Sequence, residues 1–190
     1  MILLTIGIAL FLGMHSFSMN QPQRLALVER LGARGFKLLY SVVSLIGLVL
    51  IIWGFASYRA AGMIAVWNPP TWTRHLAALL MLPALPLLFS AYASGFVRAR
   101  LKHPMILAVK IWALAHLLAN GDLGSIVLFG SFLVWAILAF RDMRRRPVDA
   151  TKAFVPNPGQ DAGAILGGLI AYGLMVGFAH QWLIGVGVFG

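Results

Sequence analysis

One stretch of the chain concentrates residues that could do chemistry: HPMILAVKIWALAHLLANGD, residues 103–122. It sets two histidines, a lysine, an asparagine and an aspartate among isoleucines and leucines. Ionisable residues inside apolar segments are rare because burying them costs free energy, so each is a candidate functional residue. Neutral imidazole is a common ligand for haem iron and other metals. The stretch therefore leaves two alternatives open: a cofactor site, or histidines that only form hydrogen bonds between helices.

The polar residues of this stretch divide into two stripes on a helix. At about 100° per residue, His103 and His116 point to nearly opposite faces. One stripe carries His103 and Lys110, and the other carries Trp112, His116 and Asn120. His103 followed by proline is typical of a helix start, which gives His103 a structural interpretation. Lys110 either snorkels to a membrane surface or faces inward and pairs with an anion, such as a carboxylate or a haem propionate.

A second histidine with a similar setting is His15, on a stripe with Gly7 and Phe11. At about 1.5 Å of rise per residue, the Cα atoms of His15 and His116 differ in depth by roughly 10 Å in a core about 30 Å thick. That difference is compatible with two imidazoles on opposite faces of an inclined haem, and it excludes a direct hydrogen bond between them. The spacing alone leaves haem ligation and interhelical hydrogen bonding both open.

The composition shows which solvent surrounds these residues. The chain has 190 residues, of which 61% are hydrophobic and 11% charged, and its mean hydropathy is +0.88. Because a soluble domain carries about 25% charged residues, the chain is expected to be an integral membrane protein. The net charge of +10 lies between apolar segments, so it predicts contact with anionic membrane lipids and no nucleic acid. The absence of cysteine excludes disulfides and thiolate metal sites.

The apolar segments predict an all-α integral membrane protein, a bundle of about six transmembrane helices in a single transmembrane domain over residues 1–190. A span needs roughly 20 apolar residues, and the first run is expected to be a retained helix. The approximate spans are 1–18, 37–57, 75–94, 104–119, 122–140 and 162–184. The fourth is short, so five spans with one re-entrant segment stay open.

Local signals refine this arrangement. Asn120-Gly121-Asp122 predicts a tight turn between the fourth and fifth spans. Pro83 and Pro86 are expected to kink the third span, because proline removes a helical hydrogen bond. In the last span, the pairs Gly163/Gly167 and Gly173/Gly177 predict close packing against a neighbouring helix.

The loop charges predict the orientation. The basic residues of the first, third and fifth loops are Arg24, Arg30, Arg34, Lys37, Arg98, Arg100, Lys102, Arg141, Arg144, Arg145, Arg146 and Lys152. The other loops hold only Arg59 and Arg74. By the positive-inside rule, the chain is a multi-pass membrane protein whose three basic loops are cytoplasmic and whose two termini both face the outer side. The longest polar stretch, 141–160, is interpreted as a cytoplasmic connector.

Several motifs together resemble a known family. HPM…K.WALAHLLANGD, FLGMHS at 11–16, RLGARGFKLLYSVVSLIGLVL at 30–50 and VWNPPTWTRH at 66–75 are similar to the NnrU family of bacterial membrane proteins. The similarity runs through nearly all of residues 1–145. The family is associated with denitrification and nitric-oxide metabolism, and it is itself similar to plant 15-cis-zeta-carotene isomerase, a haem b membrane enzyme.

The resemblance implies a cofactor and a set of site residues. It implies haem b with His15 and His116 as axial ligands to the iron, and Lys110, Trp112 and Asn120 are assigned to the same cofactor site. Ala113 stands where the isomerase motif W-C-L-A-H has its cysteine. The thiolate needed for redox-dependent ligand exchange is therefore missing. The implied function is redox or isomerase chemistry on a lipophilic small molecule in nitric-oxide metabolism.

Two other classes of function stay open. The chain could be a non-enzymatic assembly or sensing partner that docks respiratory or denitrification proteins through its basic loops. Lys102-His103-Pro104 also resembles the helix start of S-adenosylmethionine-dependent membrane methyltransferases. Against methyl transfer, residues 160–190 contain Asp161 as their only acid and no lysine or arginine. Whether the chain catalyses any reaction is left open by the sequence.

Overall fold

The computed structural model describes residues 1–146 and 154–189. Within these ranges the chain is helical apart from its connections, and no strand forms. The all-α prediction is confirmed. Lys152 and the central part of the predicted connector 141–160 lie outside the described residues.

The helices follow one another with short connections. Their bounds are Ile2–Phe17 (α1), Gln21–Ala60 (α2), Trp72–Ser90 (α3), Phe96–Leu101 (α4), Pro104–Ala119 (α5), Leu123–Arg145 (α6), Pro158–Leu174 (α7) and His180–Ile184 (α8). A π-helical turn, Met175–Ala179, joins α7 to α8.

Among the described residues, four helical stretches are long and apolar enough to cross a membrane: α2, α3, α6 and the continuous stretch Pro158–Ile184. The chain is thus a membrane protein by the character of its helices. α1 and α5 are apolar but have 16 residues each. At about 1.5 Å per residue they measure roughly 24 Å, less than a hydrocarbon core of about 30 Å. The predicted number of six spans is therefore not confirmed and stays a prediction.

α2 begins at Gln21, well before the predicted start of the second span at residue 37. Asn20 caps it, since its side-chain oxygen accepts a hydrogen bond from the Gln23 N–H at 3.4 Å. Gly32 interrupts the helix with φ 71° and ψ 163°. This backbone conformation is almost restricted to glycine, so Gly32 separates a short first segment of α2, residues 21–31, from the longer segment that carries the apolar run after Lys37.

The chain packs into two compact units, Met1–Trp67 with Gly121–Trp135 and Asn68–Asn120 with Ala136–Gly190. In the first unit α1 packs on α2. A Cβ added to Gly7 would lie 2.6 Å from the Ile51 nitrogen, and one added to Gly47 would lie 2.7 Å from the Phe11 nitrogen. Glycines on both helices therefore permit a backbone-to-backbone approach.

The turn predicted at 120–122 is confirmed, because α5 ends at Ala119 and α6 begins at Leu123. In the first unit, the carbonyl of Gly121 accepts hydrogen bonds from the N–H groups of Val66 and Trp67 at 2.9 and 3.1 Å. The Asp122 carboxylate accepts from the Ser125 N–H at 2.9 Å and caps the start of α6.

In the second unit α3 packs against both α5 and α7. The contact with α7 is closest at Gly168, where an added Cβ would clash with backbone atoms of Pro86. The Tyr172 hydroxyl donates a hydrogen bond across the same contact to the Ala78 carbonyl at 3.1 Å. Both prolines expected to kink the third span, Pro83 and Pro86, lie inside one continuous helix.

The prediction that Gly173 and Gly177 make close contacts is wrong. A Cβ on either residue, or on Gly163, would meet no atom within 4 Å among the described residues, whereas Gly167 lies against the Phe89 ring. The reason is helical phase. Gly163 and Gly173 lie about 140° around the helix from Gly168, and Gly177 lies about 180° from it.

Candidate functional site

His15 lies in α1 with its ring orientation set by its own helix. Nδ1 is 2.7 Å from the carbonyl oxygen of Phe11, one turn earlier. A carbonyl can only accept a hydrogen bond, so Nδ1 carries the proton in the neutral ring. The lone pair then resides on Nε2, which is the arrangement of an imidazole prepared to ligate a metal.

Aromatic rings surround the His15 imidazole within the first unit. Phe11 stacks on it with ring centroids 4.2 Å apart, Tyr40 lies at 5.2 Å, and Trp135 meets it edge-on at 5.7 Å. These rings come from α1, α2 and α6, so three helices shape one aromatic cage around a half-buried imidazole. Tyr40 and Trp135 were not among the site residues expected from the sequence.

The indole nitrogen of Trp135 is the main polar anomaly of this cage. Nε1 is buried and has no hydrogen-bond partner among the described residues. A buried N–H without an acceptor costs free energy, and such a group calls for an explanation. Haem b has carboxylates that accept hydrogen bonds and an iron that takes imidazole nitrogen. The donor set of His15 and Trp135 therefore fits the cofactor implied by the sequence.

His116 lies in α5 of the second unit and repeats the arrangement of His15. Its Nδ1 is 2.8 Å from the carbonyl oxygen of Trp112, which fixes the same tautomer. The Trp112 ring lies 5.3 Å from the imidazole, and the Asn120 amide donates to the His116 carbonyl at 2.8 Å. The structure thus brings together the whole stripe of Trp112, His116 and Asn120. Ala113, at the position of the motif cysteine, is fully buried.

Lys110 lies on the other stripe and reaches α6. Its ammonium nitrogen is 4.4 Å from the centroid of the Phe140 ring, a cation–π contact. His103 meets the same ring edge-on at 6.5 Å. Lys110 and His103 therefore face a cluster separate from the Trp112–His116–Asn120 stripe within this unit.

His103 is the residue immediately before α5, as its interpretation as a helix start predicts. Burial lowers the pKa of its imidazole, and the charges of Lys102 and Arg146 lower the pKa further. A hydrogen bond to the Met143 carbonyl opposes these effects. His103 thus joins the start of α5 to the end of α6 as a neutral ring.

The sequence interpretation also gave no role to His180. Its Nδ1 is 2.6 Å from the carbonyl oxygen of Val186, so it has the same tautomer as His116. The sequence signal that could have indicated this contact is Gly185. Its left-handed conformation, with φ 76°, ends α8 and directs the following residues back toward His180.

A metal site built from protein side chains alone has little support in the structure. Among the described residues, no group of three or more histidine, aspartate or glutamate side chains could hold a metal ion. Haem iron needs fewer ligands from the protein, because the porphyrin supplies four nitrogens and the protein supplies only the axial ligands.

The fold and these side chains define an all-helical membrane protein in which three histidines share one tautomer: His15 in the first unit, and His116 and His180 in the second. The model of the NnrU protein family matches residues 3–188, nearly the whole chain. The chain belongs to the NnrU family. Searches of curated proteins and of solved structures found no match.

Proposed function

We propose that this chain is a haem b-binding membrane protein in which Nε2 of His15 and Nε2 of His116 are the axial ligands. The observation that carries the proposal is the buried Trp135 N–H, which has no acceptor among the described residues and lies beside His15. The His15 ring is held by an Nδ1–carbonyl hydrogen bond of 2.7 Å, and the same bond recurs at His116 at 2.8 Å. This bond fixes the ring orientation and increases the basicity of the remaining nitrogen, as second-shell hydrogen bonds do for metal-ligating histidines.

The other residues of the site have positioning roles. Phe11, Tyr40 and Trp135 shield the His15 ring from water, and the Trp135 N–H is a donor for a cofactor carboxylate. Asn120 holds the His116 carbonyl at the end of α5. Buried Ala113 offers no thiolate, so no sulfur at this position would compete with the histidine nitrogens for the iron.

The cellular role in this proposal follows the family association with denitrification and nitric-oxide metabolism in the bacterial inner membrane. Haem b held by these residues would supply one-electron redox chemistry and an iron with affinity for diatomic gases. Exposed apolar surface along the helices is compatible with a lipophilic substrate or with contacts to respiratory proteins.

Methyl transfer has less support. It needs acidic or basic side chains near the end of the chain, and Asp161 is the only acid there. Its carboxylate accepts hydrogen bonds from the N–H groups of Phe96 at 2.6 Å and Val97 at 3.1 Å. Asp161 thus acts as the N-terminal cap of α4.

The test is an absorbance spectrum of detergent-purified protein expressed with ample haem. We expect a Soret band with low-spin, six-coordinate features in both oxidation states. His116→Gly and His15→Gly should each open one coordination position, so that carbon monoxide binds the ferrous form. Added imidazole should restore the low-spin spectrum of each variant, which separates loss of a ligand from misfolding.

His75→Gly is the matched control, because the His75 ring stacks on Phe189 at 5.5 Å and lies outside the proposed ligand pair. Its spectrum should match that of the wild type. Wild-type protein without a Soret band would contradict the proposal, as would histidine variants that keep six-coordinate spectra.

A further inference from the structure

Three basic side chains converge on one ring in the second unit. The Lys110 ammonium nitrogen lies 4.4 Å from the Phe140 centroid, the Arg144 guanidinium carbon lies 5.7 Å from it, and His103 meets it edge-on. We call Lys110, Arg144, His103 and Phe140 the Phe140 cluster. It stands apart from the proposed haem ligands and has no role in the proposed function.

The cluster has no internal counter-charge. The described acids of the second unit are Asp142 and Asp161. Asp142 forms an ion pair with Arg146, and Asp161 accepts hydrogen bonds from the start of α4. Within the described part of this unit, every carboxylate is already engaged elsewhere. An anion from outside the described residues would therefore balance Lys110 and Arg144.

The position of Lys110 in an apolar helix raises the free-energy cost of this uncompensated positive charge. Its side chain is half-buried in an apolar helix, where like charges interact more strongly than in water. The Phe140 ring offsets only part of this cost, because a cation–π contact contributes about 0.5–2 kcal/mol. A bound anion would offset the remaining repulsion.

Helix length indicates the depth of this anion. Lys110 lies six residues after Pro104, or about 9 Å along α5, and Phe140 lies five residues before Arg145, or about 8 Å along α6. Phe140 and Arg144 thus lie close to the end of α6, and Lys110 lies in the first half of α5, from which its long side chain can extend toward the lipid headgroups. An anion with an acyl tail fits this depth, with its charge at the cluster and its tail along the apolar helices.

We propose that the Phe140 cluster binds the phosphate of an anionic phospholipid, with Lys110 and Arg144 as its two cationic contacts. The planar guanidinium of Arg144 can donate two hydrogen bonds to phosphate oxygens, while Lys110 supplies a point charge from deeper in the helix. The lipid site does not require haem, so it can be tested independently of the proposed function.

The experiment measures lipid binding to purified protein by native mass spectrometry and by thermal unfolding in mixed micelles. Phosphatidylglycerol is compared with phosphatidylcholine at equal mole fraction, and inorganic phosphate is tested without added lipid. The variants are Lys110→Met, Arg144→Gln and, as a matched control in the other unit, Lys37→Met. Each protein is measured with and without haem.

Wild-type protein should bind phosphatidylglycerol in preference to phosphatidylcholine and unfold at a higher temperature with it. Lys110→Met and Arg144→Gln should each weaken this binding about fivefold, and Lys37→Met should not. Equal binding of the two lipids by the wild type, or an equal loss in Lys37→Met, would overturn the proposal. Saturation by inorganic phosphate alone would overturn the lipid assignment. Loss of the preference when haem is bound would assign the anion at the cluster to a haem carboxylate and overturn the proposal.

Discussion

The histidine tautomer is the property on which the proposed chemistry depends at the scale of single residues. His15 and His116 each donate from Nδ1 to the carbonyl four residues earlier, and this bond is available to a histidine in any regular helix. The bond alone therefore does not mark a cofactor site. His15 is distinguished by its neighbour Trp135, whose buried N–H has no acceptor in the described chain. A ligand that brings an acceptor would satisfy this donor.

His103 should make the stability of the protein depend on pH. Burial lowers the pKa of its imidazole in the folded protein below its value of about 6.5 in the unfolded chain. The unfolded state then binds the proton more readily, so the stabilising contribution is complete above that value. It is lost as the pH falls through the folded-state pKa. We expect thermal unfolding in detergent to shift to lower temperature between pH 7.5 and 5.

Replacing His103 by glutamine should reduce this loss at acid pH, because glutamine can still donate to the Met143 carbonyl without taking up a proton. His75→Gln is the control and should retain the dependence of the wild type. An identical acid-induced shift in His103→Gln and the wild type would show that other groups determine the effect.

The contact between α3 and α7 gives a prediction at the scale of elements. At Gly168 an added Cβ would clash with backbone atoms of Pro86, which cannot move as a side-chain end could. Gly168→Ala should therefore destabilise the protein by about 1–3 kcal/mol through overpacking. Gly163→Ala, on the same helix with open space around it, should be neutral or stabilising by up to about 1 kcal/mol. Unfolding in mixed detergent would measure both, and equal stability would contradict the contact.

The fate of these glycines shows how far the sequence predicts the fold. Regular local signals were sufficient for the all-α class, for the start of α5 after His103 and for the turn at Gly121. Glycine spacing predicted that α7 packs closely, but spacing does not determine which face of the helix meets its neighbour. Only the structure selects Gly167 and Gly168 over Gly173. The break at Gly32 was missed because its neighbours continue a helical pattern.

The same distinction applies to the candidate site. Trp112, His116 and Asn120 could be grouped from the sequence because residues four apart share one helix face. Tyr40 and Trp135 could not, because their contacts with His15 join three helices that are distant in the sequence. Contacts between helices depend on tertiary packing. The spacing of residues along one helix does not determine that packing.

At the scale of the whole molecule, the number of membrane crossings depends on the two shortest apolar helices. α1 and α5, at 16 residues, are roughly 24 Å long, so crossing requires the bilayer to thin or flanking side chains to snorkel. The cost is a fraction of a kcal/mol per Å of mismatch. That cost is small beside the charge asymmetry of the connections, where basic residues predominate in alternate loops. We therefore retain six crossings as the prediction.

Reporter fusions can determine the number of membrane crossings, because a helix that crosses places the connections before and after it on opposite sides of the membrane. Six crossings place a reporter after Asn20, Ser94 or Arg146 in the cytoplasm, and a reporter after Gly121 or at the C-terminus in the periplasm. The informative pair is Ser94 and Gly121, which flank α5. Opposite readings at these two junctions would show that α5 crosses, whereas matching readings would make α5 re-entrant. In that case the number of crossings would be odd, and the two termini would lie on opposite sides of the membrane.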